Sequence, residues 1–135
     1  MTIAMHQQTM SRAAFQCVEA RLHSDASAEY LSFARAFPTL IHTCGLAQAA
    51  AFALAKKKEK LWVLDDVASV VNAIDATWQI NDGASLDMQA RMNRDVNDYI
   101  RLTRQALRAA GWIKRYAEAL LDADSIPANA DGGLT

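Results

Sequence analysis

Little in these 135 residues invites a break or a cross-link: there are five glycines, two prolines and two cysteines. Two thiols are too few for the disulfide framework of a small secreted scaffold, and a zinc site needs four ligands at short spacings, of which Cys44 has only His42 nearby. Cys17 and Cys44 lie on segments that read as helical and inward-facing, so both are expected to be buried, reduced thiols of an intracellular chain. His42 is two residues from Cys44, while His6 and His23 stand alone, so no metal and no cofactor are expected. No apolar run reaches the roughly eighteen residues that span a bilayer, because His42, Thr43 and Gln48 interrupt the best candidate. The opening MTIAMHQQTMSR lacks a basic start followed by an apolar stretch, which argues against a secretory signal and for a cytoplasmic chain with no membrane role. Charge of one sign is also missing: 14 Lys and Arg against 15 Asp and Glu give a net −1. That excludes the strongly basic type of polyanion binder, so any contact with nucleic acid must come from local clustering.

What the chain has in quantity is alanine, a fifth of its residues, which with short β-branched runs favours helix. Helical spacing predicts segments at about Gln8–Leu22, Ala26–Ala36, Pro38–Lys58, Leu61–Trp78 and Ser85–Ala123. Ser24 or Asp25 is free to cap the second, and Pro38 suits the first turn of the third. The third is apolar nearly all round, as a helix in the middle of a bundle would be. Asn81-Asp82-Gly83 is a loop signal, with Ser85 capping the next segment. The expected fold is all-α, one compact bundle of five to six helices over residues 1–124 with a long C-terminal helix. The polar tail SIPANADGGLT (125–135) is expected to be disordered.

The last long segment carries the most information. With about 100° per residue, Met88, Met92, Val96, Tyr99, Leu102, Ala106, Leu107, Ala110, Ile113 and Leu121 share one apolar face. Arg94, Arg101, Arg108 and Arg115 recur every seven residues opposite it, with Arg104 and Trp112 on the same stripe. Asp95, Asp98 and Glu118 could neutralise some of these arginines, as on any solvated helix face. Yet the stripe itself holds no carboxylate, and a tryptophan there needs a cover. Arginine grips phosphate and tryptophan stacks on a base or fills a neighbour's pocket, so the stripe reads either as a polyanion or partner surface or as a solvated face.

Lys56, Lys57, Lys58 and Lys60 form a second basic cluster, although a helix C-terminus favours cations in any case. Catalysis is not expected. His42 and Cys44 fall about 200° apart on a helix, and there is no phosphate-cradling glycine loop, paired-histidine motif or nucleophile elbow. Asp65-Asp66 and Asp122/Asp124 read as ordinary helix-end or surface acids.

Two blocks resemble a known family. YLSFARAFPTLIHTCGLAQAAAFALAKKK (Tyr30–Lys58) and YIRLTRQALRAAGWIKRYAEALL (Tyr99–Leu121) are similar to stretches of the small all-α fifth subunit of the type III-B CRISPR (Cmr) RNA-guided effector complex. The first has a proline opening a helix, Leu-Ile, Gly-Leu, and Ala-Phe before terminal lysine. The second has Thr-Arg-x-Ala-Leu and Trp-Ile-Lys-Arg-aromatic-Ala-Glu-Ala. Phe37 stands where leucine is common and Tyr116 where phenylalanine is, and Leu61–Ser85 matches nothing. The resemblance implies a non-catalytic subunit, several copies of which stack beside the crRNA-bearing backbone subunit and line the channel for target RNA. The partners implied are the crRNA–target RNA duplex, single-stranded target RNA, the backbone subunit and further copies of itself. Lys56, Lys57, Lys58, Arg104, Lys114 and Arg115 match the family's basic positions; Arg101 and Arg108 are added from the helical wheel, and Trp112 is a candidate subunit contact. A protein-only helical scaffold, and the small subunit of the related type III-A complex, are the alternatives.

Overall fold

The structure, a computed structural model, describes residues 3–22 and 24–121. The tail expected at 125–135 lies outside the described residues, as does His23. Among the described residues there are six α-helices and no strand: α1 (Ile3–Glu19), α2 (Ser27–Cys44), α3 (Leu46–Lys56), α4 (Lys58–Ile74), α5 (Gly83–Met92) and α6 (Val96–Leu121), with a 3-10 turn at Ala76–Trp78. No described helix is long and apolar enough to cross a membrane.

The central helix is α4, not the Pro38–Lys58 stretch. It packs against each of the other five and buries Val63, Leu64, Val67, Ala68, Val70 and Val71. The stretch expected to be one central helix is divided between α2 and α3, and leaves Ala51, Phe52 and Ala55 exposed. Pro38 does not start a helix either; it lies inside α2. Its ring removes one backbone hydrogen bond. However, Tyr30, Phe33, Ala34, Phe37 and Ile41 form one buried face across it, and packing on α4 and α6 holds both halves in line. The break comes at Gly45, whose φ of 88° is open to glycine and costly for a side chain.

The long C-terminal segment is also divided. Asp82 and Ser85 form a reciprocal capping box that starts α5, and the Asp65 carboxylate accepts from Gly83 N at 2.7 Å, fastening that start to α4. At 93–95 the chain leaves the helix: the Asn93 side chain accepts from Asp95 N, and Asp95 Oδ1 accepts from Asn97 N and Asp98 N. Asp95 thus caps α6. Met88 and Met92 consequently sit exposed on α5 instead of extending the apolar face of α6.

That face of α6 is Leu102, Ala106, Ala109, Ala110, Ile113 and Ala117. Its alanines let α2 approach closely, and α2 runs against α6: Arg35 pairs with Glu118 toward one end, while Ala47 N, just past the α2–α3 junction, donates to Tyr99 Oη toward the other. On the other flank α1 runs alongside α6 in the same direction, Met10 beside Arg108 and Phe15 beside Tyr116.

Candidate nucleic-acid interface

The arginines of α6 divide into two kinds. Arg104, Arg108 and Arg115 are exposed and make no ion pair among the described residues. The carboxylate of α6 nearest their face, Glu118, pairs with Arg35 of α2 instead. The three arginines span about 16 Å of helix axis at 1.5 Å per residue. Arg101 is engaged: it pairs with Asp75 at 2.7 Å and Asp98 at 3.5 Å, with its guanidinium 4.3 Å from the centre of the Trp78 ring. Trp78 in turn donates its ring N–H to Gln105 at 2.8 Å. Desolvation pushes the Asp75 carboxyl up, but hydrogen bonds from Thr77 and Arg101 outweigh it and hold it below the usual carboxylate range. Arg101 therefore fastens the 3-10 turn to α6. Arg94 is exposed but lies in the break before α6, off the stripe. Lys114 is about 100° round the helix from Arg115 and half-buried.

The lysines belong to other elements. Lys56 ends α3, Lys57 links it to α4 with φ 61°, and Lys58 opens α4. The Lys56 and Lys60 ammonium groups lie 5.5 and 5.7 Å from the Phe52 and Phe33 ring centres. α3 meets Tyr99 of α6 through Ala47, and Lys56 is nine residues farther on, about 14 Å along the axis.

Trp112 is half-buried, with the Arg115 guanidinium 5.6 Å from its ring centre. Its ring is nearly parallel to Tyr116, centroids 5.9 Å apart. A groove of about 730 Å³ opens there between α6 and α1, lined in part by Ser11, Arg12 and Phe15. Sequence reasoning missed the α1 half of this groove; the available signal was the i, i+4 spacing of Trp112 and Tyr116, which puts both rings on one flank.

A second omission is structural. Asp66, expected at the surface, is buried, and its carboxylate accepts from Arg21 at 2.9 and 3.2 Å and from the Tyr30 hydroxyl at 2.5 Å. Burial pushes this carboxyl up, opposed by those hydrogen bonds. Burial, then the Asp66 charge, also raises the Cys17 thiol to about 12, a poor nucleophile at neutral pH. Cys44, expected inside, is exposed because α2 ends there. Among the described residues no three His, Cys, Asp or Glu side chains gather as a metal site would require.

A model of the CRISPR-associated protein family Cas_Cmr5 matches residues 6–120. A Thermus thermophilus protein described as the CRISPR system Cmr subunit Cmr5 is 33% identical over 116 residues, which are 85% of this chain and 95% of that protein. The crystal structure of a CRISPR-associated Cmr5 family protein from Thermus thermophilus aligns with a TM-score of 0.77 at 31% identity, over 89% of this chain and 98% of the other.

Proposed function

From the premise that the chain belongs to the CRISPR-associated Cmr5 family, we propose that it is a non-catalytic structural subunit of a type III-B Cmr complex that touches RNA through Arg104, Arg108 and Arg115. In this reading several copies stack beside the crRNA-bearing backbone subunit, along the crRNA–target duplex and the single-stranded target. The observation that carries the RNA contact is the outward face of α6, where three exposed arginines stand without an acidic partner among the described residues. Such contacts grip phosphates and carry no sequence information, which pairing with the guide supplies. A near-neutral protomer then binds weakly alone, while repeated copies on one strand multiply the contacts.

Arg101, committed to Asp75, is a secondary contact in this reading. Lys56, Lys57 and Lys58 form a separate second surface, and Lys114 contributes from the flank of α6. The test is a complex reconstituted with the backbone subunit and crRNA, carrying Arg104→Ala, Arg108→Ala and Arg115→Ala together. The complex is expected to assemble and to lose protection of target RNA from added nuclease. Unchanged protection would remove the stripe from the RNA. Failed assembly, with no RNA affinity of the wild-type protein, would favour the protein-only scaffold.

A further inference from the structure

The groove between α1 and α6 has a form that phosphate contacts alone do not require. Trp112 stands as a wall between two openings, one of about 730 Å³ bordered by Gln7, Arg12 and Phe15, the other of about 330 Å³ bordered by Arg108 and Arg115. The platform is held in place. Tyr116, nearly parallel to Trp112, shares a 2.6 Å hydrogen bond with Ser11 Oγ and makes a T-shaped contact with the Phe15 ring, centroids 5.4 Å apart at 83°. Beside Trp112, Gly111 leaves space: a Cβ there would meet nothing within 4 Å. Every charged residue lining the two openings is an arginine.

We propose that this groove is a stacking site for a base of single-stranded RNA, with Trp112 as the platform and Arg12, Arg108 and Arg115 on the flanking phosphates. The proposal rests on the RNA-contacting role above and extends it from phosphate to base. A flat aromatic ring beside cations suits a nucleotide, whose base has a π-face and whose phosphate is an anion. The side-chain amide of Gln7, which borders both openings, can donate to or accept from a base edge. An apolar protein ridge would fill the space but leave three guanidinium groups without a counter-charge.

The probes are a fluorescein-labelled oligouridine and the same strand carrying abasic ribose at its interior positions, titrated with the full chain at low salt and followed by anisotropy. The intact strand is expected to bind more tightly by roughly five- to a hundredfold, the range for one stacked base. Trp112→Leu keeps an apolar side chain against Tyr116 and is expected to bind both strands alike, at the abasic level. Trp112→Phe is expected to restore part of the difference, which a merely destabilised helix would not do. If the wild-type protein binds both strands equally, stacking is refuted while the phosphate role stands. If it binds neither, the RNA reading falls and the stacking site with it. If Trp112→Leu spares both affinities but blocks assembly, the groove belongs to a protein neighbour and the proposal is overturned.

Discussion

Asp66 shows how one residue ties two helices and the turn after a third without taking part in any surface chemistry. Its carboxylate, on α4, holds Arg21 beyond the end of α1 and Tyr30 on α2, and the Arg21 guanidinium also lies over the Tyr30 and Trp62 rings at 5.7 and 5.2 Å. Removing one partner of a buried ion pair strands the other, at about 3–5 kcal/mol. The Arg21 side chain is 25% exposed, so water partly compensates it. Asp66→Ala is therefore expected to cost about 3 kcal/mol in urea unfolding, and Tyr30→Phe, which removes one hydrogen bond, about 1 kcal/mol. Equal costs would mean that the tyrosine, not the ion pair, carries the junction. The sequence held this acid in plain view beside Asp65. Nothing in its spacing told the two apart, because the partners come from residues 21 and 30, brought together only by packing.

At the scale of elements, the helical periodicities were legible and the boundaries were not. The buried faces of α4 and α6 follow from the spacing of Leu64, Val67 and Val71 and of Leu102, Ala106, Ala110 and Ile113. The breaks were misplaced because local signals lost to tertiary ones. Pro38 was overridden by a continuous buried face, whereas Gly45 and Asp95, both visible in the sequence, set the true ends through a positive φ and a side-chain cap. The candidate site inherited the same error: a helix from Ser85 placed Arg94 on the stripe, and the Asp95 cap takes it off. The same substitution at two glycines should therefore act in opposite directions. Gly45→Ala forces a side chain into φ 88° and is expected to lower stability by more than about 1 kcal/mol. Gly111→Ala, mid-helix with open space around it, is expected to raise stability by about 1 kcal/mol. Thermal unfolding of the two variants checks both signs; stabilisation by Gly45→Ala would mean that α2 and α3 are not held apart by this residue.

For the whole molecule, the distribution of charge matters more than its sum. The net charge of −1 gives no long-range pull toward RNA, so binding must depend on how many cations one strand can reach. The lysines at the α3–α4 junction and the arginines of α6 are carried by different elements, and a short single strand is expected to engage one cluster and not both. Salt dependence counts the contacts: for single strands the logarithmic slope is about −0.7 per phosphate neutralised. Four arginines, Arg12 with Arg104, Arg108 and Arg115, give a slope near −3, and hence about a fiftyfold loss of affinity between 50 and 200 mM salt. Adding three lysines on the same strand would give a slope near −5 and a loss approaching a thousandfold. A titration of the isolated chain with a short RNA is expected to show the shallower slope. It should flatten in the Arg104→Ala, Arg108→Ala, Arg115→Ala variant and stay unchanged when Lys56, Lys57 and Lys58 become alanine. A steep slope that flattens only with the lysine variant would move the RNA to the α3–α4 junction, leaving the α6 stripe for a protein neighbour.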